Sequence, residues 1–334
     1  MIRIGDFKSD ELRASLFPEG VFDRESACDF FRRLFEPYIS NAEGGSSLAH
    51  QIMTDWDLFI DDDTAYRVIE EILNLPEMAG INLHADSSVV YSGPVKESLD
   101  EWEKFKKSIK YKSRFLSDLT PLENLGLQSG LQDSEEVFNV KNRKQFFRAR
   151  VANVKNERYK PKDMGAPPIE YTSAGRANVE GIPYLYLCTE PETCYYEVRA
   201  AYLDKVWIGQ FRVKAGESLH LVNLAPRHRS QQLTLESEPK IILRNRLLMN
   251  AISRDLSTPM RRHDKASMEY LPTQFICEYI RLKLNKDGII FQSSLKKEGA
   301  NIVITGRNVQ KLEEAKEELE RLYGVKVLPV KADV

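Results

Sequence analysis

The spacing of apolar residues along the 334-residue chain changes twice, and it separates three regions. In residues 1–139 the apolar positions recur at helical spacing. The two clearest predicted helices cover 61–74 and 98–116. In the first, Tyr66, Ile69 and Ile72 share a face, and in the second Ser98 is positioned to open a capping box. The pattern predicts a mainly helical N-terminal domain.

The second region, residues 140–304, contains short runs rich in β-branched and aromatic residues. These predicted strands cover 145–154, 183–188, 206–213, 218–224 and 288–294. Helical patterns lie between them, over 191–203, about 239–253 and about 270–284. Strands that alternate with both tight turns and helices favour an α+β domain built on a mixed β-sheet.

The third region, residues 305–334, is predicted to form a helix and a strand. Leu312, Ala315 and Leu319 lie on one stripe of the helix, and Gly324 suits its C-cap. Together with the apolar run before it, this tail makes one strand–helix–strand unit.

Composition narrows the class of protein. A formal net charge of −2 gives no overall attraction to nucleic acid or to an anionic membrane. No run of 18 apolar residues predicts a membrane span, and the charged N-terminus is unlike a secretory signal. The four cysteines form no C-x-x-C pair, and the five histidines are scattered, which argues against a metal site. We therefore expect a cytoplasmic protein with reduced, mostly buried thiols.

Glu197 is the carboxylate that the pattern singles out. A helix predicted over 191–203 opens with Pro191 in its first turn. At about 100° per residue, Glu197 falls on or beside the apolar side of Cys194. A carboxylate there has to be paired, hydrogen-bonded or directed into a cavity. The sequence leaves two alternatives open, namely a buried ion pair with an arginine and a carboxylate in a functional pocket.

Three arginines are candidates for binding an anion. Arg148 and Arg150 occupy one predicted strand at i and i+2 and so share a face. Arg176 lies in the loop SAGRANVEG, whose backbone N–H groups are expected to be free to bind anions. Guanidinium groups suit pyrophosphate oxygens. A solvated basic strand face is the alternative for Arg148. The region contains neither a P-loop nor a G-x-G-x-x-G motif.

Six segments in this order resemble the RES-domain family: FFRAR, MGAPP, AGRANVEGIPYLYL, PETCYYEVR, YLPTQFICEYIR and DGIIFQSSL. The resemblance covers about residues 140–304. It implies a fold like the diphtheria-toxin class of ADP-ribosyltransferases, with NAD as the substrate and no metal. Members of the family are bacterial toxins that are usually paired with an Xre-type antitoxin.

The resemblance also implies roles for individual residues. The expected catalytic residues are Glu197, Arg176 and Ser293, and the expected NAD-binding residues are Arg148, Tyr186, Arg150, Ser294 and Asn178. Ser294 is included because the family's serine can be aligned with either Ser293 or the adjacent Ser294. The family often has Tyr-Pro before this serine, whereas this chain has Phe291-Gln292.

The implied reaction is cleavage of the nicotinamide–ribose bond of NAD, with phosphate or water as the acceptor. Transfer of ADP-ribose to a protein target and a catalytically silent RES-like binding module are the alternatives. The sequence leaves open whether the chain forms homo-oligomers. It predicts no membrane partner and no nucleic-acid partner.

The two ends of the chain carry weaker resemblances. The region before the RES segments is similar in position and texture to a HEPN-like helical domain, but it lacks an R-x4–6-H motif, so we expect a regulatory role there and not RNA cleavage. The tail resembles a short-chain dehydrogenase fragment, in which Thr305-Gly306-Arg307 would contact the adenosine ribose. Because the glycine-rich first turn is missing, an NADP-dependent reductase is only a third alternative.

Overall fold

The computed structural model describes residues 2–41, 43–152, 159–201, 203–225, 233–258, 266–293 and 300–304, with the backbone alone at 266, 267 and 300–304. The chain divides into two compact units. The first is Met1–Trp102 with Arg227–Leu248, and the second is Glu103–Pro226 with Met249–Val334. The tail over 305–334 lies outside the described residues.

The first unit is mainly helical, as its sequence predicts. Its elements are α1 (Asp10–Leu16), α2 (Arg24–Phe35), β1 (Tyr38–Ser40), β2 (Ser46–Ser47), α3 (Leu48–Trp56), α4 (Asp62–Leu73), β3 (Ser88–Tyr91) and the start of α5 (Gly93–Tyr111). The three short strands form an antiparallel sheet in the order β1-β3-β2. A core that includes Phe7, Phe31 and Trp56 fills the unit.

Two details of the predicted helices need correction. In α4, Ile69 and Ile72 are buried as expected, but Tyr66 is 46% exposed, because Ala65 and Val68 complete the inward face. Ser98 does not cap α5, since that helix already begins at Gly93. Its hydroxyl donates to the Pro94 carbonyl one turn earlier, at 3.1 Å. Asp61, in contrast, caps α4 by accepting a hydrogen bond from the Thr64 amide at 2.7 Å.

The second unit contains a seven-stranded sheet and the helices that cover it. After α5 come α6 (Thr120–Asn124), α7 (Leu127–Asp133), β4 (Glu135–Asn139), β5 (Gln145–Val151), β6 (Leu185–Cys188), α8 (Pro191–Glu197), β7 (Val206–Arg212), β8 (Ser218–Asn223), α9 (Pro239–Ser257), α10 (Ala266–Glu269), α11 (Leu271–Leu282), β9 (Gly288–Gln292) and β10 (Ala300–Ile304). The strand order is β4-β8-β9-β10-β6-β5-β7. Only β8 and β9 pair in parallel among the described strands, so the predicted α+β class and mixed sheet are confirmed.

The two faces of this sheet have different roles. Alternate residues point to opposite faces, and Phe146, Leu187 and Ile290 belong to one apolar cluster. Ala149 and Cys188 form a second cluster with Cys194 of α8, so α8 packs on the other face. β5 and β6 are joined through the residue pair Phe147 and Cys188. Because α8 packs over these two strands, its last residue, Glu197, is placed on this face of the sheet.

The cysteines are buried and unoxidised, and the prediction of buried thiols is confirmed. The Cys188 and Cys194 thiols hydrogen-bond to each other. That hydrogen bond, together with burial, raises the pKa of Cys188. Among the helices of the described residues, none has the length and apolarity that a membrane crossing requires.

Candidate functional site

Glu197 and Ser293 are in direct contact. Glu197 is the last residue of α8 and is exposed, whereas Ser293 follows β9 and is 2% exposed. The Ser293 hydroxyl donates to Glu197 Oε1 at 2.9 Å. A buried hydroxyl therefore orients a carboxylate that is exposed to solvent.

The expectation that Glu197 lies on or beside the buried side of its helix is wrong. That expectation rested on a helix over 191–203, but α8 contains only seven residues and ends at Glu197. Arg199 has a φ of 49°, in the left-handed region, where a right-handed helix cannot continue. Val198, the residue after the helix, still packs against the cluster that contains Cys194, but Ala201 lies beyond the helix and is exposed.

Strand alternation brings Ser293 to the α8 face of the sheet. Ile290 packs in the cluster on the opposite face, so Phe291 and Ser293, one and three residues later, both fall on the α8 face. Phe291 is 2% exposed, and its ring fills the position where the family often has tyrosine. The Phe291-Gln292 pair therefore leaves Ser293 next to Glu197. Ser294 lies outside the described residues.

The Arg176 loop is held by hydrogen bonds within its own segment. The Gly175 amide donates to the Asn178 carbonyl at 2.9 Å, which closes a tight turn around Arg176. The Ala177 amide donates to the Tyr186 hydroxyl at 3.1 Å, and that hydroxyl donates to Asn178 Oδ1 at 2.8 Å. Burial raises the pKa of Tyr186, which keeps its proton for this bond.

Asn178 supports the same loop from inside. Asn178 is 3% exposed. Its Nδ2 lies 3.0, 3.0 and 3.1 Å from the carbonyl oxygens of Ser173, Val179 and Ile182. The polar groups of Asn178 and Tyr186 thus hold the loop together. Contacts of either residue with NAD stay a prediction.

The expected set of free backbone N–H groups in this loop is not what the structure shows. The amides of Gly175 and Ala177 are used as described above, and the Gly181 amide donates to the Thr172 carbonyl at 3.1 Å. A buried turn has to satisfy its own backbone polar groups, which is why these amides turn inward. These three amides are therefore not available to an anion.

The Arg176 guanidinium is partly buried and is anchored at one nitrogen. Its Nη1 donates to the carbonyl of Leu256, near the end of α9, at 2.9 Å. A guanidinium carries its N–H donors in a planar fork, and this bond helps to orient the fork.

Sequence reasoning missed two residues beside Arg176. Thr273 and Gln274 of α11 are 3% and 5% exposed, and both hydrogen-bond to the backbone of the Arg176 loop. The signal was present in the YLPTQFICEYIR segment, as two adjacent polar residues set between apolar neighbours in the first turn of the helix.

Arg148 and Arg150 project from β5. Arg148 Nη1 donates to the Met164 carbonyl at 3.0 Å and also to the Gly165 carbonyl. The Arg150 guanidinium lies 5.4 Å from the centre of the Tyr159 ring, a cation–π distance. Burial, and then the charge of Arg150, lowers the pKa of Arg148 to about 10. Within the described parts of the chain, neither arginine has a carboxylate at ion-pair distance.

The structure does not join these two arginines to the Glu197 contact. Phe147 and Ala149 of β5 pack against α8, so alternation directs Arg148 and Arg150 to the opposite face of that strand. No hydrogen bond links either arginine to Glu197, Ser293 or the Arg176 loop among the residues that the structure describes. The described hydrogen bonds join Ser293 to Glu197 and the Arg176 loop to Tyr186, and they join neither set to Arg148 and Arg150.

Metal ligands are not grouped in the described ranges. No set of three or more His, Cys, Asp or Glu side chains there is arranged to hold a metal ion. The candidate site consists of a carboxylate, hydroxyls and guanidinium groups.

One curated protein shares a short stretch with this chain. Over 38 residues, 11% of the chain, the sequence is 76% identical to 12alpha-hydroxysteroid dehydrogenase from Clostridium sp.. The stretch spans 15% of that protein's length, so the likeness does not reach a whole dehydrogenase domain. The predicted dehydrogenase-like tail stays a prediction. No solved structure matches the chain.

A family model accounts for the region that carries the candidate site. The model described as "RES domain" matches residues 146–323. That range contains Arg148, the Arg176 loop, Glu197 and Ser293, and it begins inside β5. Since the match covers just over half of the chain, this protein belongs to the RES domain family.

Proposed function

We propose that the chain is an enzyme that consumes NAD by cleaving the bond between nicotinamide and ribose. The observation that carries the proposal is the Ser293–Glu197 hydrogen bond, which holds an accessible carboxylate in a fixed orientation. Breaking an N-glycosidic bond builds positive charge on the ribose, as in glycoside cleavage. A preorganised carboxylate stabilises that charge as it develops.

Each candidate residue has a role that its surroundings support. Glu197 stabilises the ribosyl cation, and Ser293 orients the carboxylate by donating to one oxygen. The Arg176 guanidinium binds pyrophosphate oxygens through its N–H fork. Arg148 and Arg150, which project from the other face of β5, add positive charge that attracts this dianion toward the domain. Nicotinamide leaves with the bonding electrons, and phosphate or water supplies the oxygen that bonds to ribose C1.

The test is product analysis with the purified full chain. Incubation with NAD, with and without inorganic phosphate, followed by mass spectrometry distinguishes ADP-ribose-1″-phosphate from ADP-ribose. Adduct masses on added bacterial proteins would reveal transfer to a protein. We expect free nicotinamide from the wild type.

The matched pair of variants is Glu197→Gln and Glu192→Gln. Both residues are exposed on α8, but only Glu197 meets Ser293. Loss of the carboxylate should lower the rate by a factor on the order of 10²–10³, while Glu192→Gln should keep the wild-type rate. Equal NAD consumption by Glu197→Gln and wild type would refute the assignment.

Family membership also supports a proposal about the biological role of the protein, which the assays above do not test. We infer that the protein acts as a bacterial toxin in the cytoplasm and that an Xre-type antitoxin restrains it. Co-expression of the neighbouring gene, followed by co-purification and rescue of growth, tests that inference. If the N-terminal unit affects neither co-purification nor the rescue of growth, the regulatory role expected for it is wrong.

A further inference from the structure

We propose that Thr273 and Gln274 are positioning residues that set the place of Arg176. This inference rests on the proposed function for its catalytic consequence, because it concerns how the loop arginine of that site is held. Neither side chain is expected to touch NAD. Both act from the first turn of α11 on the backbone that carries the guanidinium.

Gln274 holds the loop on both sides of Arg176. Its Nε2 donates to the Gly175 carbonyl at 2.8 Å and to the Asn178 carbonyl at 2.8 Å. A side-chain amide has two N–H donors, and both are used here. The two bonds bracket Arg176, so a single side chain fixes the loop before and after it.

Thr273 holds the residue between those two points. Its hydroxyl donates to the Arg176 carbonyl at 2.7 Å, and its own helix offers a longer alternative acceptor, the Tyr270 carbonyl, at 3.0 Å. These two adjacent residues of α11 thus donate hydrogen bonds to the carbonyls of Gly175, Arg176 and Asn178. The far end of Arg176 is held by the Leu256 carbonyl, so both the backbone and the guanidinium have fixed partners.

The loop cannot easily obtain the same support elsewhere. A Cβ at Gly175 would lie 2.6 Å from Asn178 Oδ1 and 2.6 Å from the Tyr186 hydroxyl, which shows how tightly the turn is pressed against its neighbours. Thr273 and Gln274 are almost completely buried, and water does not readily replace a donor that is lost there. Removing these donors should take one hydrogen bond from each of the three carbonyls and loosen the loop.

The experiment combines kinetics with hydrogen exchange on the full chain. Gln274→Met keeps the length of the side chain and removes both donors, and Thr273→Val keeps the shape and removes the hydroxyl. Thr273→Ser restores the hydroxyl and serves as the rescue. Lys283→Gln, at the exposed C-cap of the same helix, is the control that leaves the loop untouched.

We expect faster amide exchange across residues 173–182 in Gln274→Met and Thr273→Val, with exchange in β8 and β9 unchanged. The KM for NAD should rise about tenfold with a smaller change in kcat, because the ground-state contact of Arg176 weakens. Thr273→Ser should restore both quantities. A uniform rise of exchange through the second unit would mean a general loss of stability and would overturn the positioning role.

The two proposals fail in different ways. If the wild type releases no nicotinamide, the proposed reaction is wrong, and the exchange data alone decide whether α11 holds the loop. If the wild type is active while both variants keep wild-type exchange and KM, the positioning role is wrong and the proposed reaction stands.

Discussion

Arginine is presented in two different ways in the second unit. Arg176 sits in a loop whose backbone is fastened by side chains from β6 and α11, whereas Arg148 and Arg150 stand on a strand whose backbone is fastened by its ladder to β7. A loop lacks regular backbone partners and must recruit donors from elsewhere. The position of Arg176 therefore depends on many residues, and that of the strand pair depends on few.

The electrostatic settings differ as well. Arg176 is held by a backbone carbonyl, so the pyrophosphate contact proposed for it depends on geometry. Arg148 is close enough to Arg150 for the charge of one to lower the pKa of the other. Two like charges held together destabilise the protein until an anion arrives. We infer that the loop supplies orientation and the strand pair supplies charge.

The largest effect should come from removing the guanidinium groups themselves. Arg176→Gln should lower kcat/KM for NAD by a factor on the order of 10²–10³, as expected for a preorganised charge. Arg150→Gln should cost about tenfold, mostly in KM. Arg212→Gln, on exposed β7 surface, is the control. Equal losses at Arg176 and Arg150 would remove the distinction between orientation and charge.

A smaller effect is expected at the loop support. Tyr186→Phe removes the hydroxyl that joins Ala177 to Asn178, and the lost bonds should lower the free energy of unfolding by about 1–3 kcal/mol. KM for NAD should rise severalfold because the loop around Arg176 loosens. Urea unfolding and initial-rate kinetics measure the two quantities. An unchanged KM with lower stability would show that the loop tolerates the loss without moving Arg176.

The smallest effect under ordinary conditions is a pH dependence that only the strand pair should show. Because burial and Arg150 lower the pKa of Arg148 to about 10, NAD affinity should fall as the pH rises through that value. Arg150→Gln should move this midpoint to higher pH by removing the repelling charge. Titration calorimetry in the Glu197→Gln background, between about pH 8 and about pH 11, measures affinity without turnover.

The same pKa predicts the sign of a stability change. A lowered pKa means that the protonated form of Arg148 costs stability in the folded state at pH values below about 10. That cost should shrink as the pH rises through the folded pKa. A midpoint of NAD affinity that stays fixed in Arg150→Gln would show that the two charges do not interact.

Much of the second unit was predictable from local pattern. Alternating apolar residues identified the strands from β5 to β9, and ordered segments identified Arg148, Arg176, Glu197 and Ser293 as candidates. The end of α8 was not predictable in this way. The left-handed conformation that follows it belongs to Arg199, and not to a glycine that the sequence would reveal. That one boundary moved Glu197 from a buried face to an exposed end.

By itself, the sequence determined the α+β class, the helical first unit and the residue types of the candidate site. These follow from local periodicity and from short ordered segments, which need no knowledge of distant contacts. Only the tertiary structure decided that Ser293 meets Glu197, that α11 holds the Arg176 loop, and that Arg148 and Arg150 lie on the other face of β5. Those contacts join residues far apart in the chain, and the packing of helices on the sheet brings them within hydrogen-bond distance.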